Sequence, residues 1–223
     1  MRNVDYYRNL KGEIWLNIAS STYVLEEFVN LDNTIFLYLL KYFKLIKRIV
    51  PRKYSEIIEQ YCEAMKKVLL IKHDCRTTLF FPDNSVDHIL CSHFLEHVFP
   101  IEMERIIRDF YRVMKTGATL HVIVPDLKEQ AERYLLKNRD AESRAADDFI
   151  RATLLSNESR GSLKYRLLEF FGGFGLQHRL MYDSYSMTKK LRDVGFNILD
   201  KNETPSKLYR LNDSSVHVVA CKQ

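Results

Sequence analysis

Glycine and proline are scarce, seven and five in 223 residues, which excludes collagen-like, linker-rich and low-complexity architectures and leaves few positions at which sharp turns can form. The four cysteines, Cys62, Cys75, Cys91 and Cys221, form no C-x-x-C pair and stand in largely apolar stretches, so reduced thiols are expected rather than a disulfide framework or structural zinc. No uncharged apolar run approaches the roughly 18 residues that a membrane-spanning helix needs. The opening MRNVDYYRNLKGE also lacks the apolar core of a signal peptide, and a cytoplasmic location is the expectation. A large excess of one charge is lacking too: 34 Lys and Arg against 29 Asp and Glu leave +5, compatible with an anionic substrate, nucleic acid or a membrane surface and selecting none of them.

What is present is globular in composition, 46% hydrophobic and 28% charged, and 223 residues suffice for one well-buried domain with a substantial insertion. Short apolar runs mark strands: IWLNIA from Ile14 to Ala19, FVNLD ending at Asp32, then VLLIKHD, VDHILCS and TLHVIVPD. Helical spacing appears between them. Lys41, Lys44 and Arg48 punctuate an apolar helix over Ile35 to Val50, and Tyr54, Ile57, Ile58, Tyr61, Met65 and Val68 stripe a second. Met103, Ile106, Ile107, Phe110 and Met114 stripe a third, which Thr116 and Gly117 are expected to stop with a left-handed cap. Residues 127–183 read as a helical insertion or lid after the fifth strand, and SMTKKLRDVGF is a Gly-terminated helix before the closing runs FNILD and VHVVACK. Repeated strand–helix alternation predicts an α/β fold with a mostly parallel sheet and an antiparallel C-terminal edge.

In such sheets ligands bind outside the carboxyl ends of the strands, which here bear Ala19, Ser20, Ser21, Asp32, Asp74, Ser92, His93 and Asp126. A carboxylate is a bidentate acceptor, so Asp32 is placed for a ribose and Asp74 for an adenine edge. Each has a rival role: Asp32 as a helix cap before Ile35, and Asp74 in the turn that follows it.

The stretch LFFPDNSVDHILCSHFLEH, the helix ending RVMKTG and the strand TLHVIVPD resemble the second half of a Rossmann-like, class I S-adenosylmethionine-dependent methyltransferase. The resemblance is to small bacterial methyltransferases associated with surface-polysaccharide biosynthesis. It covers roughly Ile14 to Asp126 and is most specific from Phe81 onward. It implies the Rossmann-like methyltransferase fold, S-adenosyl-L-methionine as cofactor, and a cofactor pocket from Asn17, Ala19, Ser20, Ser21, Asp32, Asp74, Cys91 and Ser92. It departs at the loop after the first strand, where the family carries glycines and this chain carries Ala19 and Ser21. Glycine serves there because backbone must approach the cofactor, with positive φ; the hydroxyls and N–H groups of Ser20 and Ser21 are the compensation to look for.

His93, Glu96 and His97 follow the fourth strand, where the family presents groups to the methyl acceptor. His93 is the preferred base, with His178 as the alternative, since an imidazole titrates near neutrality. The structural reading of H-x-x-E-H places His93 and His97 on one helical face. The zinc-protease order H-E-x-x-H is absent and no third ligand is evident, so no metal is expected. Gly172, Gly173 and Gly175, clustered among aromatics before His178 and Arg179, suggest a lid with Arg179 as an anion contact. The expected activity is O-methylation of a sugar or surface-glycan precursor. The alternative is a non-catalytic binding or scaffold protein with a degenerate loop; RNA methylation is weaker, for want of an arginine-rich tail. The Ile35 to Val50 helix is either a core element or a peripheral membrane contact.

Overall fold

The computed structural model describes residues 3–21, 23–33, 68–139, 144–155, 177–200 and 214–223, with seven isolated positions between 52 and 63. The helix expected over Ile35 to Val50 and the glycine cluster at 172–175 lie outside them, and of the helix expected after Pro51 only those isolated positions are described.

Among the described residues, seven strands form one sheet: Trp15–Ile18 (β1), Val29–Asp32 (β2), Leu69–Lys72 (β3), Val86–Ser92 (β4), Met114–Pro125 (β5), Phe196–Leu199 (β6) and Ser215–Lys222 (β7), in the order β3-β2-β1-β4-β5-β7-β6. The first five pair in parallel, and β7 runs antiparallel to both β5 and β6. The expected mostly parallel sheet with antiparallel closing strands is therefore the observed one. The edge strand is β6, because β7 inserts between it and β5. All four residues of β1 and of β2 are buried, as the unbroken apolar runs require of strands covered on both faces.

Among the described residues, the helices are Pro100–Val113 (α1), Leu127–Arg139 (α2), Ala145–Ala152 (α3) and Ser184–Val194 (α4). Pro100 opens α1, and the Glu102 carboxylate accepts the Phe99 N–H at 2.9 Å. Met103, Ile106, Ile107, Phe110 and Val113 bury its inner face. The helix ends at Val113, earlier than the Thr116–Gly117 stop read from the sequence; Met114 is already extended and starts β5. Register between β4 and β5 slips from Val86↔Met114 to His88↔Thr119, and Gly117 takes φ +81° in the extra length. Glycine thus serves a bulge here and not a helix cap.

Arg112 fastens α1 to the turn before β4. Its guanidinium donates to Asp109 and Asp83, both at 2.7 Å, and to the carbonyls of Leu79 (2.9 Å) and Phe81 (3.1 Å). Asp109 in turn accepts the Leu79 N–H at 2.6 Å. Helices α2 and α3 belong to the insertion after β5 and meet through Tyr134 on Phe149 (centroids 5.6 Å apart). Asp183 caps α4 by accepting the Ser186 N–H at 2.7 Å, and Gly195, at φ +113°, ends it as the sequence predicts.

Candidate functional site

The loop after β1 follows the backbone path that glycine would take. Ala19 (φ 51°) and Ser21 (φ 48°) both occupy the left-handed region, at the positions where the family resemblance places glycine. Holding an L-residue there costs roughly 1–2 kcal/mol, and the end of β2 supplies the restraint. Ser20 N–H donates to the Leu31 carbonyl at 2.9 Å, and Ser21 N–H donates to Asp32 Oδ2 at 2.7 Å. Asp32 is nearly buried and holds the loop in place; the rival capping role would fall on residues outside those described. Ser20 is also buried, and its hydroxyl has no hydrogen-bond partner among the described residues. A glycine-like path and an unused buried hydroxyl fit a loop that closes on a polar ligand, and they fit S-adenosylmethionine.

Three of the expected pocket residues turn out to be committed elsewhere. The Asn17 amide donates to the Tyr23 carbonyl and to Asn30 Oδ1, each at 2.9 Å, so this side chain braces the β1–β2 connection. Asn30 completes the brace by accepting the Leu25 N–H and donating to the carbonyls of Leu25 and Phe28. Asp74 accepts Arg76 at 3.0 and 2.7 Å and its backbone N–H at 3.0 Å, which is the turn role. Burial alone would raise its pKa, and the bonds and charge of Arg76 hold it below the ordinary value. Cys91 is fully buried in the core, where burial pushes its thiol well above the usual range; only its backbone is left to meet a cofactor. Cys75, behind Ala19, is likewise pushed up to about 12 by burial. Both are packed hydrophobes and not nucleophiles.

At the end of β4, Ser92 is half-buried and His93 takes φ 51°. Six non-glycine residues among those described have positive φ, and three of them, Ala19, Ser21 and His93, sit at the carboxyl ends of the adjacent strands β1 and β4. Strain concentrated this way marks a site. His93 precedes a single 3₁₀ turn, Leu95–His97, so His93 and His97 do not share a helical face as the spacing suggested. Instead His93 Nδ1 lies 3.3 Å from Glu96 Oε1. The Glu96 side chain is 0% exposed, and neither carboxylate oxygen has a hydrogen-bond partner among the described residues.

The segment at 177–180 closes over this group. Arg179 and Leu180 donate their N–H groups to the Glu96 carbonyl at 2.7 and 3.1 Å, and His178 N–H donates to the Leu154 carbonyl at 3.0 Å. One ligand atom from each of Glu96, His97 and His178 lies within 4.8 Å of the other two. A third group, not evident from sequence, therefore stands beside the H-x-x-E-H pair, 81 residues after His97 in the chain. Burial lowers the pKa of His178 despite the opposing charge of Glu96. Burial, then the Glu96 charge, raises that of Tyr182. Arg179, the expected anion contact, stacks on Phe99, 4.2 Å from the ring centroid. Glu96 is the site residue whose importance sequence reasoning missed; its only signal was its place within H-x-x-E-H.

Residues 37–122 match the family model of a methyltransferase domain; the match begins after Asp32 and so leaves out the altered loop. No curated protein matches the chain. Among solved structures, a complex between a Haloferax volcanii methyltransferase activator and a methyltransferase aligns at 10% identity and TM-score 0.51 over 94% of this chain and 82% of that one. An S-adenosylmethionine-dependent methyltransferase from Archaeoglobus fulgidus aligns at 16% and 0.50 over 94% and 86%. A Pyrococcus horikoshii protein aligns at 15% and 0.50 over 96% and 84%. The domain match and these structural likenesses together show that the chain has the Rossmann-like methyltransferase fold, a mostly parallel sheet with antiparallel closing strands.

Proposed function

We propose that this protein transfers a methyl group from S-adenosylmethionine to a hydroxyl of a sugar or surface-glycan precursor. The observation that carries the reading is the glycine-like path of Ala19 and Ser21, tied to Asp32, beside the strained His93 on the neighbouring strand. The Ser20 and Ser21 N–H groups are taken up by β2, so Asp32 and the hydroxyls of Ser20 and Ser21 would hold the cofactor, whose sulfonium would supply an electrophilic methyl. The chain's own contribution is positioning, since methyl transfer needs donor and acceptor atoms in line at near-contact distance.

His93 takes the proton of the acceptor hydroxyl. Its Nδ1 edge faces Glu96, which leaves Nε2 on the opposite edge of a ring whose side chain is 34% exposed. His178, more enclosed, is the alternative base. The glycan class rests on the resemblance of LFFPDNSVDHILCSHFLEH to polysaccharide-associated methyltransferases, and Lys41, Lys44 and Arg48 support a peripheral contact with an anionic membrane carrying such precursors.

Calorimetric titration with S-adenosylhomocysteine tests the reading without needing an acceptor. Saturable binding that weakens at least about tenfold in Asp32→Ala is expected, about 1.4 kcal/mol for one lost ligand group. No heat and no thermal stabilisation at millimolar ligand would overturn it and favour a binding or scaffold role for the degenerate loop.

A further inference from the structure

We propose that Glu96, His97 and His178 form a binding site for a divalent first-row metal ion of the zinc type. The site would exist whether or not the chain transfers methyl groups, and its evidence begins with the carboxylate. Glu96 is wholly excluded from solvent, yet neither oxygen accepts a hydrogen bond among the described residues. A buried carboxylate left so costs several kcal/mol unless a cation meets it. The groups that do surround it are imidazoles, which are metal ligands: His97, His178 and, 3.3 Å from Oε1, His93.

Each histidine is prepared for that role. His97 Nδ1 lies 3.2 Å from the Gln177 carbonyl, which fixes the proton on Nδ1 and the lone pair on Nε2. His178 Nδ1 is buried with no hydrogen-bond partner among the described residues. The two halves of the site are held together by the backbone bonds from Arg179 and Leu180 to the Glu96 carbonyl, so the approach of residues distant in sequence does not depend on side chains alone.

The ligand atoms lie within 4.8 Å of one another, while tetrahedral coordination at about 2.0–2.1 Å asks for spacings of roughly 3.4 Å. Binding would draw the three side chains together by χ rotation. Two imidazoles and one carboxylate select zinc, cobalt or iron over magnesium or calcium, which take all-oxygen sites. Three protein ligands also leave a position open for a water or an oxygen ligand, with His93 at its rim.

The test titrates chelator-treated, full-length protein with Zn²⁺ in a calorimeter and with Co²⁺ in an absorption spectrometer. One equivalent of Zn²⁺ with a rise in Tm is expected, together with visible d–d bands of a Co²⁺ ion bound by nitrogen and oxygen. Glu96→Gln and His178→Ala should each weaken Zn²⁺ binding at least about tenfold and abolish the cobalt bands, in line with loss of one ligand. Should Glu96→Gln fail to fold, as judged by circular dichroism, His178→Ala carries the same comparison. Absence of binding at millimolar Zn²⁺ would overturn the proposal. So would stoichiometric binding that both variants retain, since the metal would then lie elsewhere.

Discussion

Replacing Ser21 with glycine should make the protein more stable, although it removes a side chain and adds none. Ser21 sits at φ 48°, where an L-residue pays roughly 1–2 kcal/mol relative to the right-handed region. Glycine escapes that strain and loses about 0.5–1 kcal/mol through its greater freedom when unfolded. The side chain is exposed, so no packing is forfeited. The net gain is about 0.5–1 kcal/mol, which for a chain of this size raises Tm by roughly 1–4 °C. Ala19→Gly relieves similar strain but surrenders a half-buried methyl worth up to about 0.8 kcal/mol, so it should come out near zero. Scanning calorimetry of the two single variants beside the parent gives the order Ser21→Gly, then Ala19→Gly with the parent. The Ser21 N–H bond to Asp32 is backbone and survives in the variant, so the loop path is kept, while loss of the Ser21 hydroxyl should weaken S-adenosylhomocysteine binding. A lower Tm for Ser21→Gly would refute the claim that this loop stores glycine-type strain.

Two further perturbations test the framework. His88 is wholly buried in β4, its pKa pushed down by burial from 6.5 to about 4, with Nε2 unpartnered among the described residues. Its folded pKa lies below its unfolded one, so above pH 6.5 it adds no pH dependence, and as pH falls from 6.5 to 4 the unfolded chain gains a proton the folded chain refuses. Stability should fall by about 3 kcal/mol across that window; urea midpoints at a series of pH values, compared with His88→Phe, should show the variant with the shallower acid slope, and parallel slopes would contradict this. Asn30→Leu should lose at least about 3 kcal/mol in urea unfolding, because the Leu25 N–H and the Leu25 and Phe28 carbonyls lose these side-chain bonds and the Asn17 amide loses one of its two acceptors; a loss under 1 kcal/mol would mean that water replaces those bonds.

The fold was legible because its strands are short apolar runs and its turns use the few glycines and prolines. VDHILCS is β4 residue for residue, and Gly195 ends α4 where the pattern placed it. Gly117 misled because a glycine after an amphipathic stripe reads as a cap, whereas the pairing slip that needs its positive φ is a property of two strands together. The same limit governs the site. Asn17 and Asn30 alternate with apolar neighbours like any strand-end polar residues, and only their pairing across β1 and β2 shows that they brace each other. Ala19 and Ser21 looked like a broken glycine loop because residue type alone gives the cost of a conformation but not whether neighbours enforce it; Asp32 does. Glu96 and His178 were each visible, but their meeting depends on backbone bonds between segments more than eighty residues apart.

The placing of β7 also bears on how the molecule is made. β7 follows the six other described strands in sequence yet lies inside the sheet, so a ribosome releases it after all of them. Until residues 215–222 leave the exit tunnel, β5 presents an unpaired hydrogen-bonding edge and β6 has no neighbour to join. The nascent chain therefore carries an adhesive border throughout its synthesis, the state in which chaperone capture or co-aggregation competes with completion of the sheet. A stop codon at position 215 would freeze the protein in that condition, so the expected outcome is insolubility.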